Sequence, residues 1–400
     1  MRYSVLLPTR NGGKFLRNCI ESILSQDHDS FELVISDNAN TDETPAIVES
    51  YRRHPRVRAI RLGAAVPVTD NWNAAYRESS GDYVLMMGDD DYLLPGFFRR
   101  MDALLERHSS PECVLYNGYS FVAPDSIGDD EKSYFSPYHF AFGPAFGQEK
   151  ELSRTEQLGI VRDMFRWTSQ IPLNMQTTLV ARRAAERIEG GFFQAPFPDH
   201  YALNAMLVMG CRWLFTPERL VIVGVSPKSF GHYVYSGRTD FGLAYLGIAP
   251  EFAGMLPGSP LLNGMHVWLD RLSRRFPEEL KGVKIDRAGY VRRQVYNWIL
   301  QKRFGRIGWT GLAHLFGMLS AGDWALLGLT AFDRESWRRL ARMARRRGAA
   351  EAQITRLLAL EGCDNVAEFA RTIGRDGPLG LPAAGDPKWR PVAEDDLAKA

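Results

Sequence analysis

The feature that most constrains the fold is a regular alternation of short apolar runs and amphipathic segments over the first 120 residues. Apolar runs predict strands at residues 3–7, 31–36, 57–62, 83–87 and 113–122. Between them, spacing typical of helices covers residues 13–26, 41–53, 70–79 and 95–107. This alternation predicts an α/β fold with a mainly parallel sheet, in which ligands bind beyond the carboxyl ends of the strands.

Polar residues follow three of these predicted strands: Thr9 to Asn11, Asp37 with Asn38, and the triplet Asp89 to Asp91. An acidic triplet before a helix can be a solvated turn, because the helix dipole favours negative charge there. This triplet, however, directly follows a buried apolar strand, and a divalent cation would relieve the repulsion among its carboxylates. Oxygen ligands of this kind favour magnesium or manganese bound together with substrate phosphates.

Asp37 has two interpretations. In the sequence SDNANTD it can be an Asx-turn residue, or its carboxylate can accept hydrogen bonds from a nucleotide base or ribose. The first strand is not followed by GxGxxG, and the sequence contains no GxxxxGK[ST]. Neither a Rossmann dinucleotide site nor a P-loop is therefore predicted.

Several motifs, taken in order, resemble those of family 2 glycosyltransferases. They are PTRN (8–11), ILSQ (23–26), FELVISDNANTDET (31–44), Asn73, SGDY (80–83) and MMGDDDYLLPG (86–96). The resemblance covers about the first 110 residues closely and extends less closely to about residue 235. It implies a GT-A fold, that is, a Rossmann-like mainly parallel sheet flanked by helices. It also implies a nucleotide-diphosphate sugar donor, Mn²⁺ or Mg²⁺, and inversion at the anomeric carbon.

Within this resemblance a UDP-sugar is favoured as donor, with dTDP- and GDP-sugars open. The acceptor is expected to be a glycan or lipid-linked glycan used in cell-surface polysaccharide or glycolipid synthesis. The donor site maps onto Pro8, Thr9, Arg10, Asn11, Asp37 and Asn73. Asp90 matches the last Asp of the family's DxD metal motif, but Gly88 replaces the first. The roles of Asp89, Asp90 and Asp91 in nucleotide and metal binding therefore stay open.

An inverting transfer needs an acid–base residue opposite the leaving group, and Asp or Glu suits that role. The resemblance places it at Asp199, in FPDH before a predicted helix over residues 201–209. The alternative is that Asp199 is only the helix N-cap. His232 follows the last predicted strand and is either a residue facing the metal or diphosphate or a structural histidine.

The carboxyl-terminal third is predicted to be helical, without clear strands. Residues 307–332 are nearly apolar, and glycines with a central Asp323 favour two short helices there. These helices could be buried in the protein, lie shallowly in a membrane or span it, and the sequence leaves all three open. Residues 334–348 then form a basic amphipathic pattern. Residues 281–348 hold fifteen Lys/Arg against four Asp/Glu, a charge of +11, so a possible partner of residues 307–348 is an anionic membrane surface.

The chain is too long for one minimal core, since cores rarely exceed about 250–300 residues. We expect a GT-A catalytic domain at residues 1–238, a helical accessory domain at 239–374 and a flexible tail at 375–400. The four cysteines are widely spaced and lack the spacing of a zinc site, and the amino-terminal apolar run is too short for a signal peptide. These features predict a cytoplasmic protein. If the basic segment binds lipid, the protein would be peripheral on the inner face of the membrane. The net charge of +2 argues against nucleic acid as a partner, and the oligomeric state is open.

Two other functions compete with a glycosyltransferase. A nucleotidyltransferase on a related sheet would also use acidic metal ligands, although PTRNGGKF is only a faint version of its Gly-rich loop. A non-catalytic nucleotide-binding scaffold would account for the altered metal motif.

Overall fold

The computed structural model describes residues 1–126, 132–136, 148–167, 173–227, 229, 250–303, 305–330, 358–360 and 362–373. His232, the basic segment 334–348, the predicted boundary at residue 238 and the predicted tail 375–400 lie outside the described residues. The domain limits therefore stay predictions.

Strands and helices alternate through the amino-terminal half, as predicted. The strands are β1 (Tyr3–Thr9), β2 (Phe31–Asp37), β3 (Val57–Arg61), β4 (Tyr83–Met86), β5 (Tyr92–Leu93), β6 (Cys113–Val122), β7 (Ser133–Ser136), β8 (Lys150–Glu151), β9 (Thr178–Ala181), β10 (Trp213–Val225) and β11 (Leu358–Leu360). The helices of the same half are α1 (Gly13–Leu24), α2 (Thr44–Tyr51), α3 (Val68–Arg77), α4 (Phe97–Arg107), α5 (Arg154–Phe165), α6 (Arg182–Ala185) and α7 (Pro198–Val208). A 3-10 turn, Met175–Thr177, precedes β9.

Helices dominate the described carboxyl-terminal part. They are α8 (Pro260–Arg275), α9 (Arg287–Arg303), α10 (Trp309–Gly317), α11 (Ala321–Thr330) and α12 (Val366–Thr372). No single described helix is long and apolar enough to span a membrane, although α10 and α11 pass that test as a pair, bent by 105°.

One sheet joins all eleven strands. Strands β3, β2, β1 and β4 lie side by side and parallel. Strand β9 then runs antiparallel between β4 and β6, and β10 pairs parallel with β6. The carboxyl ends of β1, β2, β4, β6 and β10 therefore all lie at one edge of the sheet. The predicted α/β class with a helical carboxyl-terminal part is confirmed.

Apolar layers cover both faces of the sheet because side chains of a strand alternate between its faces. In β1, Val5 and Leu7 enter the core formed with α1 and α4. Leu6, between them, enters a second core on the opposite face. This second core continues through α7 into α8 and α9, where Trp268 and Tyr290 are fully buried.

Four predicted helix starts are wrong by two or three residues, among them that of α3, which begins at Val68 rather than residue 70. Helix α2 begins at Thr44 rather than residue 41, because the Asp42 carboxylate accepts hydrogen bonds from the backbone N–H groups of Gly13 and Thr44 and holds a turn there. Helix α4 begins after Gly96, whose left-handed φ of 82° separates the helix from the preceding proline. Helix α7 begins at Pro198, so Asp199 lies in its first turn and is not the N-cap.

Three predictions about strands are also wrong. The pattern of residues 212–225 favours two short strands, but Trp213–Val225 form one long strand, because β6 pairs with β10 on both sides of a bulge between Phe215 and Arg219. The carboxyl-terminal part, predicted to have no clear strands, contributes β11, which pairs with β7. Strand β7 itself lies in residues 123–150, whose Pro, Gly, Asp and aromatic content favours a loop. Helix α12 follows β11, and its Phe369 packs on Phe121 and Phe135 with ring centroids 5.4 and 5.2 Å apart.

A buried carboxylate in β2 ties this strand to β1 and to the segment before β4, at the opposite edge of the sheet. Glu32 in β2 accepts hydrogen bonds from the Ser4 hydroxyl at 2.7 Å, the Ser80 backbone N–H at 2.6 Å and the Ser80 hydroxyl at 2.9 Å. Burial alone would raise the pKa of Glu32, but these hydrogen bonds and the charge of Arg2 outweigh it and lower the pKa below its ordinary value.

A depressed pKa predicts how stability depends on pH. The ionised Glu32 stabilises the fold above its unfolded pKa of about 4.5, and this contribution is lost as pH falls through the lower folded pKa. We expect Glu32→Gln to lower the free energy of unfolding at pH 7 by about 1–3 kcal/mol. The difference in the free energy of unfolding between Glu32→Gln and the unsubstituted protein should shrink as the pH falls towards about 3. Urea unfolding at both pH values measures it.

The matched control is Glu49→Gln, which removes an exposed carboxylate that pairs with Arg52 on the surface of α2. That change should alter stability by less than about 0.5 kcal/mol at either pH. A Glu32→Gln penalty of the same size at both pH values would contradict the assignment.

Candidate active site

Asp91 joins the ends of two strands that lie far apart in the sequence. One carboxylate oxygen accepts a hydrogen bond from the Gly88 backbone N–H at 2.6 Å, and the other accepts from the Gly224 N–H, in β10, at 2.8 Å. The side chain is almost fully buried. Both oxygens are therefore committed to backbone contacts that hold the turn after β4 against the end of β10.

Asp90 lies against the same end of β10. Its Oδ2 accepts a hydrogen bond from the Ser226 backbone N–H at 3.1 Å. A Cβ atom on Gly224 would lie 1.9 Å from the Asp90 carbonyl oxygen, so only glycine permits this approach. Burial and the neighbouring carboxylates of Asp91 and Asp89 raise the pKa of Asp90.

Asp89 faces the other way, towards the turn after β1. It accepts a hydrogen bond from the Thr9 hydroxyl at 2.7 Å, and a Cβ atom on Gly12 would lie 2.0 Å from its Oδ2. Asp89 is only partly buried, in contrast to Asp90 and Asp91. The triplet thus has two buried carboxylates, Asp90 and Asp91, that bond to the end of β10, and one partly buried carboxylate, Asp89, that bonds to the turn after β1.

The chemistry of this cluster fits a divalent cation held mainly by its substrate. Among the residues that the structure describes, no group of three or more His, Cys, Asp and Glu side chains is arranged to hold a metal. Magnesium-type sites, however, commonly use one or two carboxylates and complete their coordination with phosphate oxygens and water. Asp89 and Asp90 supply such oxygens, and their mutual repulsion is what a cation would relieve. The predicted ligand His232 is outside the described residues.

Asp37 lies beside Thr9 in the register of β1 and β2, at the same edge of the sheet. Its Oδ1 accepts a hydrogen bond from the Asn40 backbone N–H at 2.8 Å, and its Oδ2 lies 3.8 Å from the Arg61 Nε. This bond links residues three apart and closes a local turn rather than an Asx turn, so one oxygen of the carboxylate has a structural role in the turn.

The turns after β1 and β2 form one network. Arg10 donates hydrogen bonds to the carbonyl oxygens of Asn38 and Ala39, at 2.5 and 2.9 Å. Asn11, with a left-handed φ of 54°, donates its backbone N–H to the Asn40 side chain at 2.7 Å. The predicted nucleotide residues after β1 are therefore held in place by the turn that follows β2.

Two residues predicted to lie near the donor have structural contacts. Asn73, in α3, donates a hydrogen bond from its amide to the Phe193 carbonyl at 2.9 Å and so fixes the loop before α7. Pro8 lies within β1, opposite Ser36 of β2. The structure brings neither side chain into contact with the carboxylate triplet.

Asp199 is buried in the first turn of α7. Its Oδ2 accepts a hydrogen bond from the Met175 backbone N–H at 3.4 Å. Because β9 runs antiparallel to β4, the 3-10 turn that contains Met175 lies beyond the carboxyl end of β4. Asp199 is thereby anchored to the edge of the sheet that carries the triplet.

His200 is a neutral neighbour of this carboxylate. Its Nε2 lies 3.7 Å from Asp199 Oδ1, and its ring stacks on Phe197 with centroids 5.3 Å apart. Burial lowers the pKa of His200, despite the opposing charge of Asp199, so the ring is uncharged at neutral pH.

Sequence reasoning missed four contributors to this site: Gly12, Met175, Gly224 and Ser226. Each acts through its backbone or through the absence of a side chain. The glycine in PTRNGG was the only local signal, since close approach of two turns requires such a residue.

Part of the sequence is similar to known glycosyltransferases. The sequence is 31% identical over 119 residues to the poly(ribitol-phosphate) beta-N-acetylglucosaminyltransferase TarS of Staphylococcus aureus, covering 29% of this chain and 21% of TarS. It is 30% identical over 159 residues to a GalNAc(5)-diNAcBac-PP-undecaprenol beta-1,3-glucosyltransferase of Campylobacter jejuni. This match covers 39% of this chain and 47% of that enzyme. The chain thus spans less than half the length of these two curated relatives.

A crystal structure of TarS residues 1–349 with UDP-GlcNAc is similar at a TM-score of 0.46 and 15% identity, covering 76% of this chain and 73% of that one. The sequence model of glycosyl transferase family 2 matches residues 4–184, which contain β1 to β9, the carboxylate triplet and the turns after β1 and β2. Residues 4–184 of this chain therefore belong to glycosyl transferase family 2.

Proposed function

We propose that the chain is a metal-dependent inverting glycosyltransferase that moves a sugar from a nucleotide-diphosphate sugar to an acceptor hydroxyl. The observation that carries this proposal is that two carboxylates lie at one edge of the sheet: Asp89, bonded to Thr9 of the turn after β1, and Asp90, bonded to Ser226 after β10. Both carboxylates lie within the segment that matches family 2. Carboxylate oxygens and a polar backbone-rich turn are what a nucleotide diphosphate and its cation require.

Asp90 and Asp89 would hold Mn²⁺ or Mg²⁺, and Asp91 would keep the two of them in place. A cation bound there stabilises negative charge on the diphosphate leaving group. Thr9 orients the Asp89 carboxylate, and the network of Arg10 and Asn11 shapes the pocket wall for the nucleotide. A UDP-sugar is the favoured donor.

Asp199 would act as the general base. The acceptor hydroxyl oxygen attacks the anomeric carbon as its proton moves to an Asp199 oxygen. The bond from the anomeric carbon to the diphosphate oxygen breaks, and the nucleotide diphosphate leaves with the electron pair, so the configuration inverts.

The acceptor is proposed to be a glycan or lipid-linked glycan of a cell-surface polymer, reached on the cytoplasmic side of the membrane. The names of the two relatives support this class, since one acts on poly(ribitol-phosphate) and the other on an undecaprenol-linked saccharide. A thermal-shift screen of nucleotide sugars with and without Mn²⁺ identifies the donor, because a ligand of the native state raises apparent stability. Stabilisation by nucleoside triphosphates with pyrophosphate release would instead favour a nucleotidyltransferase, and donor binding without turnover a scaffold.

We predict that Asp199→Asn lowers kcat about 10²–10⁴-fold, because the amide cannot accept the acceptor's proton. Donor affinity should stay unchanged, since asparagine is isosteric and can still accept the Met175 N–H bond. Rates of nucleotide diphosphate release with glycan acceptors, together with calorimetric donor binding, measure the two effects.

Asp70→Asn is the matched control, because Asp70 also lies in the first turn of a helix, α3, and is exposed. It should leave kcat unchanged. Full transfer activity in Asp199→Asn would show that another residue is the base.

We predict that Asp90→Asn impairs metal-dependent donor binding, whereas Asp91→Asn lowers the stability of the fold. Asp90→Asn should weaken Mn²⁺-dependent donor binding at least about tenfold, because it removes a charged metal ligand. Asp91→Asn should lower the free energy of unfolding by about 1–3 kcal/mol, because one of two buried N–H groups loses its acceptor. Calorimetry with Mn²⁺ and urea unfolding measure these effects, and the reverse pattern would contradict the assigned roles.

A further inference from the structure

The helical hairpin of α10 and α11, residues 309–330, presents large apolar side chains to solvent. The exposed fractions are 76% for Trp309, 50% for Met318, 50% for Trp324 and 65% for Leu329. Single exposed apolar residues are ordinary on protein surfaces. Four of them on one short hairpin form the kind of surface that marks an interaction site.

The only acidic residue of the hairpin points inward. Asp323 is buried and accepts two hydrogen bonds from the Arg287 guanidinium of α9, both at 2.9 Å, and one from the Ser320 hydroxyl at 2.9 Å. The hairpin therefore buries its carboxylate and exposes tryptophan. A helix pair whose outer side faces water shows the opposite pattern, with charged residues outside and apolar residues inside.

Positive charge borders this apolar surface. The Lys302 ammonium lies over the Trp309 ring, 4.4 Å from its centroid, and Arg303 and Arg306 occupy the same turn between α9 and α10. Residues 287–330 hold six Lys/Arg against Asp323 alone. The next eighteen residues, 331–348, add seven arginines against two acidic residues. This composition favours a negatively charged binding partner for the apolar surface of the hairpin.

The hairpin has the geometry of a surface element rather than of a span. Its two helices are bent by 105° where they meet, and neither is long enough to cross a bilayer alone. The partly buried Arg287–Asp323 ion pair also ties α11 to α9, which holds this helix of the hairpin against the protein. Tryptophans flanked by Lys and Arg are typical of elements that lie in the headgroup region.

We propose that the 309–330 hairpin docks on the surface of an anionic lipid bilayer. Trp309, Trp324 and Leu329 enter the boundary between headgroups and acyl chains, while Lys302 and Arg306 contact lipid phosphates. This contact does not depend on the proposed transferase activity.

The test is sedimentation of the full-length protein with vesicles of phosphatidylcholine alone or with about 30 mol% phosphatidylglycerol, in about 0.1 M salt. We expect binding to the anionic vesicles and weaker binding at about 0.5 M salt, because exposed charges are then screened. The double variant Trp309→Ser/Trp324→Ser should lower the partition coefficient at least about tenfold. Met255→Ser, which removes an exposed apolar side chain outside the hairpin, should not change it.

Thermal unfolding shows that the double variant is folded, and calorimetric donor binding separates loss of docking from loss of the proposed function. Quenching of tryptophan fluorescence by brominated lipids, lost in the double variant, would place the hairpin in the bilayer. The proposal is overturned if the unsubstituted protein does not bind anionic vesicles, or if the double variant binds them equally well. It is also overturned if lipid-free light scattering shows a dimer that the double variant abolishes, since a second copy would then cover the surface.

Discussion

The site depends first on the two hydrogen bonds of the Asp91 carboxylate. They connect the turn after β4 to the end of β10, segments that are more than 130 residues apart in the chain. A buried backbone N–H without an acceptor costs about 1–3 kcal/mol, so this bridge strongly favours one arrangement of the two strand ends. The positions of the other two carboxylates follow from it: Asp90 meets the Ser226 N–H and Asp89 meets Thr9.

This arrangement holds three carboxylates close together, and burial disfavours the charge of two of them, Asp90 and Asp91. The pKa of Asp90 is raised by burial and by both neighbours, which means that the ionised cluster is held at an electrostatic cost. Such a cost is expected where binding of a cation is the function, because the cation recovers it on binding. The same edge of the sheet receives Asp199 through its bond to Met175, on the far side of β4 from the turns after β1 and β2.

Much of this was predictable from local patterns. Apolar periodicity predicted β1 to β4 and the sheet class, and the rule for parallel sheets placed Asp37 and the triplet at one edge. What could not be predicted depends on contacts distant in sequence. Gly224 and Ser226 act through backbone groups that carry no motif, and β11 exists because β7 offers it an edge. Asn73 matches the family pattern, yet its bond to Phe193 is structural, because a motif residue does not reveal where its side chain points.

Residues 281–348 carry a charge of +11, and the other residues of the chain are net acidic, so the net charge of the whole chain is near zero while its parts differ. The central claim concerns the sheet edge, namely that Asp89 and Asp90 bind a cation together with a nucleotide diphosphate. Anomalous diffraction from crystals grown with Mn²⁺ and UDP tests it most directly. The account predicts one manganese peak at bonding distance, about 2.0–2.6 Å, from an oxygen of Asp90 or Asp89, with none on Asp91. A peak bound to Asp91, or UDP bound at this edge without manganese, would contradict it.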